Sequence, residues 1–149
     1  MKHPGGAFWA NLRVQTGKRP ISFPQDFVSV HVPLTKQTAG MFAADQFGMM
    51  KRSAFFVNTS KGRVVNETDL IDALKKRTIA GAGLDVQATE PLPADSPLLE
   101  LDNVIVTLHI ASFTREAQTY CDRVVQEDVI RFAKGQPTRF VANPQVLMK

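Results

Sequence analysis

Residues 54–86 read AFFVNTSKGRVVNETDLIDALKKRTIAGAGLDV, and the change of period inside this stretch decides the fold. It opens on AFFVNT (54–59), an apolar run rich in aromatic and β-branched residues that reads as a buried strand. ETDLIDALKKR then carries Leu70, Ile71 and Leu74 at helical spacing. Asn66 is placed to cap that helix, acids fill its first turn, and Lys75, Lys76 and Arg77 suit the negative end of its dipole. A second apolar run, AGAGLDV (80–86), closes the stretch. Strand, helix and strand in this order imply parallel pairing through a right-handed crossover.

The same grammar continues on both sides. FVSVHV (27–32) and NVIVTLH (103–109) read as two more buried strands, and TAGMFAADQFGMM (38–50) as a short helix. QATEPLPADSPLLELD (87–102) contains three prolines, which limits it to a loop with at most one helical turn. SFTREAQTYCDRVVQEDVIRFAKGQP (112–137) reads as the longest helix. Cys121, Val125, Val129, Phe132 and Ala133 share one of its faces, and Gly135 and Pro137 supply its stop. The tail after residue 137 is too short for another unit, and no internal repeat is present.

Composition fits one soluble α/β domain: 149 residues, 44% hydrophobic and 21% charged, enough to bury a working core. No stretch is apolar enough to span a bilayer, and the first 15 residues lack the apolar core of a secretory signal, so a cytoplasmic location is expected. The single Cys121 excludes an internal disulfide framework and a cysteine-rich metal site; it is expected to pack within its helix. The net charge of +4 comes from Lys2, Arg13, Lys18 and Arg19, since the remaining cations balance the 14 acids. That basic stretch, residues 1–25, is rich in Gly and Pro without a period, which argues for a poorly ordered leader rather than a nucleic-acid surface.

Ligands of open parallel sheets bind at the carboxyl ends of the strands. The residues just past each run are therefore the functional candidates: His31 to Thr35, Asn58 to Gly62, Asp85 to Glu90, and His109 to Ser112. A cation, two acids and a histidine are expected on one edge, a set suited to proton transfer on an anionic substrate. Taken singly, Lys61 would be a solvated turn residue, Glu90 a loop acid, Asp85 a strand-end cap, and His31 and His109 structural histidines. Their order along one sheet edge is what gives them weight.

HVPLTKQTAGMF, FFVNTSKGRVVNETDLIDAL, IAGAGLDVQATEPLPADSPLLELDNVIVTLHIAS and the closing NPQVL together resemble the NAD-dependent D-isomer-specific 2-hydroxyacid dehydrogenases, from about Asp26 to Leu147. The family includes phosphoglycerate dehydrogenase and glyoxylate or hydroxypyruvate reductases. The resemblance implies hydride transfer between NAD, with NADP not excluded, and the C2 of a small 2-hydroxy or 2-keto acid. It also implies that residues 26–149 form the C-terminal half of a Rossmann-like doubly wound parallel sheet, about four strands, followed by a long helix.

Carried over residue by residue, His109 falls on the family's acid/base histidine, and Glu90 on the acid that accepts a hydrogen bond from that imidazole and stabilises its charged form. Asp85 matches the residue that holds the nicotinamide carboxamide. Pro33, Thr59, Ser60, Ile110, Ala111 and Ser112 would line the cofactor. Lys61 falls on the family's arginine, which grips the substrate carboxylate and polarises the carbonyl oxygen. A lysine keeps the charge but loses the paired donors of a guanidinium, so lower turnover is expected. Leu108 stands where the family usually has proline.

The family's glycine-rich Gly-x-Gly-x-x-Gly turn and the acid that reads the adenosine ribose have no match here: Gly5 and Gly6 make no such pattern. The expectation is a chain inactive alone, with its first strand at a sheet edge, that forms a homo-oligomer or is completed by another chain. The competing expectation is a non-catalytic interaction or regulatory module, or a decayed fragment, derived from the same family. No metal, nucleic-acid or membrane partner is expected.

Overall fold

The computed structural model describes residues 25–147, which form two compact units divided between Leu108 and His109. The basic leader expected over residues 1–25 lies, apart from Gln25, outside the described residues.

The first unit is a four-stranded parallel sheet in the order β1 (Phe27–Val30), β2 (Phe55–Asn58), β3 (Gly81–Leu84) and β4 (Val104–Val106). All four runs read as strands in the sequence are strands here, each trimmed by two to four residues. Neighbours in sequence are neighbours in space, with Val28 opposite Phe56, Phe56 opposite Ala82, and Leu84 opposite Val106. Because side chains alternate along a strand, this register sends Val28, Val30, Phe56, Asn58, Ala82 and Leu84 inward together.

That inner face is covered by α1 (Ala44–Gly48) and α2 (Glu67–Lys75), which pack on each other. Phe56 is the hub: Phe42 lies over it at 5.2 Å between ring centroids, and Phe47 meets it edge-on at 5.3 Å. Leu70, Leu74, Ile79 and Leu98 complete the core. Phe27 and Phe55 stack on the other face, where they and Ile105 are exposed.

α2 starts and stops as a capped helix should. The Asn66 side chain accepts the Asp69 N–H at 3.3 Å, Glu67 and Asp69 lie in the first turn, and Lys75 in the last. Arg77, expected simply to complement the dipole, instead closes the helix in the left-handed region at φ 53°. Its N–H donates to the Leu74 carbonyl at 3.1 Å, and the Thr78 N–H reaches back to Ala73 at 2.8 Å.

The helix expected over residues 38–50 is a correction: only Ala44–Gly48 is helical. The preceding backbone has a competing use. Phe42 pairs with Val65 in an isolated parallel bridge, donating to Val64 O at 3.2 Å and accepting from Asn66 N at 2.8 Å. Short as it is, α1 is pinned at its start, where Gln46 accepts the Ala43 N–H at 3.0 Å and Asp69 accepts the Ala44 N–H at 3.1 Å. The proline-rich loop holds the single helical turn expected of it, a 3-10 turn at Pro97–Glu100.

The second unit is α3 (Arg115–Ala133), capped by Thr114, with a tail that ends in a 3-10 turn, Pro144–Leu147. Gly135, at φ 66°, closes α3 as its sequence position implied. The tail returns along the helix: Asp128 accepts the backbone N–H groups of Arg139 and Phe140 at 3.1 Å each, and the Arg139 guanidinium bonds Glu127 at 2.5 Å. Cys121, expected to pack within the helix, is exposed, as are Val125, Val129 and Phe132 on the same stripe. The stripe is apolar as read, but a short tail is all its own unit offers to cover it.

Candidate active site

The carboxyl ends of β2 and β3 carry two loops of the first unit that are built onto one another. After β2 the chain turns inward on Asn58, whose side chain is 1% exposed. Its Oδ1 accepts from the Ser60 N–H at 3.0 Å and from Ser60 Oγ at 2.9 Å, while its Nδ2 donates to the Lys61 carbonyl at 3.1 Å. One buried amide thus folds the turn Thr59–Ser60–Lys61 and leaves Lys61 exposed at its tip, entering a 3-10 turn at Gly62–Val64.

After β3 the chain carries two buried polar residues in succession. Asp85 is 5% exposed; Thr107 Oγ1 donates to its Oδ1 at 2.5 Å, and its N–H continues the ladder to Asn58 O at 3.0 Å. Gln87, 6% exposed, donates its side-chain amide to the carbonyls of Leu84 at 3.2 Å and Thr107 at 3.4 Å. The Gln87 N–H in turn donates to Glu90 Oε1 at 3.0 Å, so this acid's carboxylate is held by its own loop.

The two loops meet at Gly62. A Cβ built there would stand 1.9 Å from the Gln87 carbonyl oxygen, so only a residue without a side chain fits. Glu67, first residue of α2, reaches across to accept the Ala88 N–H at 2.8 Å.

The structure therefore brings together, within one unit, the loop of Thr59, Ser60 and Lys61 and the loop of Asp85 and Glu90. Pro33, past β1, accepts a hydrogen bond from Thr38 Oγ1 at 2.6 Å in a turn of the same unit. His109 is the first residue of the second unit and is followed there by Ile110, Ala111 and Ser112. Its φ of 58° is one of two positive values at non-glycine residues among the described residues, and the other, Arg77, is accounted for by helix closure. Sequence reasoning placed Asn58, Gly62 and Gln87 within candidate stretches but gave them no role, and it did not name Glu67 or Thr107. Asn58 and Thr107 had a signal, a polar residue ending an apolar strand; Glu67 had none, since its partner lies 21 positions away, and the Gln87 bond to Thr107 spans 20.

A parallel sheet with helical crossovers and a polar cluster at its carboxyl edge defines a nucleotide-binding α/β class of protein. Comparison with known proteins narrows the class. A profile described as D-isomer specific 2-hydroxyacid dehydrogenase, NAD binding domain, matches residues 23–111, and the chain belongs to that family. Over 122 residues it is 46% identical to a glyoxylate reductase of Korarchaeum cryptofilum, covering 82% of this chain and 37% of that one. Over 118 residues it is 45% identical to a D-3-phosphoglycerate dehydrogenase of Archaeoglobus fulgidus, covering 79% and 22%. Among solved structures, a D-lactate dehydrogenase with NAD+ from Lactobacillus jensenii superposes with a TM-score of 0.71 at 36% identity, covering 78% of this chain and 39% of that one. A family member from Xanthobacter autotrophicus Py2 in complex with NADPH gives 0.70 at 38% identity, covering 81% and 49%. The chain thus spans between about a fifth and a half of these proteins' lengths. Among the described residues no helix is long and apolar enough to cross a membrane.

Proposed function

We propose that this chain supplies the nicotinamide-side part of an NAD(P)-dependent oxidoreductase acting on a small D-2-hydroxy acid or 2-keto acid. The observation that carries the reading is the junction of two loops at the carboxyl edge of the sheet, one tipped by Lys61 and the other bearing Asp85 and Glu90. Such an edge is where this class of sheet takes its ligands.

The residues suit the nicotinamide end of the cofactor. A buried carboxyl group, Asp85, fixed through one oxygen by the Thr107 hydroxyl, offers oxygens matched to a carboxamide N–H. In this proposal the cofactor contacts go to Pro33, Thr59 and Ser60 in the first unit and to Ile110, Ala111 and Ser112 in the second. When bound, the cofactor supplies the hydride that reduces C2 of the 2-keto acid. Lys61 holds the substrate carboxylate, and its charge polarises the C2 carbonyl. His109 gives its proton to the carbonyl oxygen, leaving a neutral imidazole and a 2-hydroxy acid; in oxidation the proton returns. The role proposed for Glu90 is that of the acid which stabilises the charged form of this histidine. A positive φ at this histidine supports the assignment, because strained backbone is retained where a side chain must be aimed.

Lys61 makes the reaction slow. An ammonium on a flexible stem cannot hold a planar carboxylate by two parallel donors as a guanidinium does. Turnover by this chain alone is expected to be little or none. The outermost position of β1 in the described sheet and the exposed Phe27, Phe55 and Ile105 support assembly with a second copy or with another chain that completes the site. A free thiol at Cys121 is compatible with the cytoplasm as its compartment.

The test is NADH binding to the purified chain, followed by nicotinamide fluorescence, with and without oxalate. Micromolar affinity that weakens in Asp85→Ala supports the reading. No binding at millimolar NADH overturns it in favour of a non-catalytic module.

A further inference from the structure

An acid in the first turn of a helix ordinarily needs no explanation beyond the helix dipole. Glu67 does something else with its charge. Its Oε2 accepts the Ala88 N–H at 2.8 Å, a charge-assisted bond to a loop 21 residues further along the chain. The two ends of that bond are not arbitrary. Glu67 begins the helix that immediately follows the Lys61 turn, across the short span Gly62 to Asn66. Ala88 follows Gln87, the residue whose N–H holds Glu90 Oε1 at 3.0 Å. Gly62, next to Lys61, is already in close approach to the Gln87–Ala88 peptide, so carboxylate and glycine hold the same peptide from two sides.

We propose that Glu67 is a positioning residue of the candidate site: by clasping Ala88 it fixes the separation between the turn that presents Lys61 and the loop that presents Glu90. The proposal rests on the reading of Lys61 as the grip for a substrate carboxylate. The clasp is closed before any ligand arrives, so Lys61 projects from a frame whose remaining freedom is its own stem. Opening it would let the two loops drift apart, and an anion held by Lys61 would no longer be presented at the acid's side.

The experiment uses the full chain, with sodium oxalate as the probe and backbone amide NMR as the readout. Glu67→Gln keeps a carbonyl oxygen able to accept the Ala88 N–H; Glu67→Leu removes it. In the wild type, the Ala88 amide is protected from hydrogen exchange, and oxalate moves the Gly62 and Ala88 resonances together along one binding curve. Glu67→Gln should retain both features, with affinity within about twofold. Glu67→Leu should lose protection at Ala88 by tenfold or more, uncouple the two resonances, and weaken oxalate binding several-fold. Glu67→Leu with wild-type protection and wild-type coupling overturns the proposal, as does Glu67→Gln behaving like Glu67→Leu. If the wild-type chain binds no oxalate, the reading of Lys61 falls. Exchange at Ala88 together with the Gly62 resonance in the Glu67→Leu chain then decides the clasp: loss at both supports it, and loss at Ala88 with Gly62 unmoved refutes it.

Discussion

Replacing Gly62 by alanine is the sharpest perturbation of the two-loop junction. The added Cβ would stand 1.9 Å from the Gln87 carbonyl oxygen, 2.0 Å from its carbonyl carbon and 2.6 Å from the Ala88 nitrogen. Ordinary contact begins at 3.4 Å, so the oxygen must retreat by the difference, 1.5 Å. Every one of those atoms is backbone, and no rotamer can absorb the movement. Shifting that peptide so far breaks the bond made by its own nitrogen, Ala88 N–H to Glu67. Overpacking costs about 1–3 kcal/mol and a lost bond to a charged group about 1.5–3 kcal/mol, which together put the penalty at roughly 2.5–6 kcal/mol. For a chain of this size that lowers the melting temperature by about 10–15 °C. Circular dichroism melts of Gly62→Ala and Gly83→Ala make the comparison, since a Cβ at Gly83 meets nothing nearer than Val57 Cγ2 at 4.0 Å. If Gly62→Ala melts within a degree or two of the wild type, or no lower than Gly83→Ala, the close approach of the two loops is refuted.

Other perturbations test the frame around the junction. Phe56→Ala removes the ring on which Phe42 and Phe47 both pack and should cost about 3–5 kcal/mol in urea unfolding. The two helix stops should respond oppositely to exchange of side chain. Gly135→Ala, at φ 66°, should destabilise by about 1 kcal/mol, while Arg77→Gly, at φ 53°, should be neutral or stabilising by up to about 1 kcal/mol, both read from melting temperatures. In the second unit, burial pushes the Asp128 carboxyl up. Hydrogen bonds from the Arg139 and Phe140 N–H groups and from the Arg139 guanidinium outweigh it and hold the carboxyl below its ordinary value of 3.8. A depressed folded value means the tail's attachment is at full strength above that ordinary value and is lost as pH falls below it through the folded value. Amide exchange at Arg139 and Phe140 should therefore quicken on acidification below about pH 4, and Asp128→Asn should remove that pH dependence.

The strands were legible because parallel strands write themselves as short apolar runs between turn residues, and all four lie within those runs. α2 was legible for a local reason: Asn66, the first-turn acids and the spacing of Leu70 and Leu74 act within the segment that contains them. α1 was misread in extent because Phe42 and Val65 pair across 23 residues, and no local pattern announces a bridge of that kind. Cys121 was misread because amphipathic spacing reports that a stripe is apolar and says nothing about what lies over it. In the candidate site, the residues proposed to meet ligand had a sequence signal, and those that hold their loops mostly did not. Lys61, Asp85 and Glu90 stand just past strand ends, where position alone raises them. Glu67 acts through a partner 21 residues away, and Gln87 ties its own loop, at Leu84 and Glu90, to Thr107, 20 residues away, so the fold is needed to complete both supports.

The distinction between the residues proposed to meet ligand and their supports bears on what Lys61 can do. The turn that carries it is fixed at its base by the Asn58 amide, at its side by the contact of Gly62 with Gln87, and beyond by Glu67. The backbone under the cation is therefore held at three points, and on the proposed reading the difference from an arginine lies in the side chain itself. An ammonium on four rotatable bonds must be ordered anew by each anion it meets, whereas a guanidinium reaches a planar carboxylate with two donors already aligned. Lys61→Arg should accordingly tighten oxalate binding on this frame without moving the melting temperature. A gain of the same size in the Glu67→Leu background would mean that the frame contributes nothing, because a forked side chain on a loosened turn has no fixed direction in which to point.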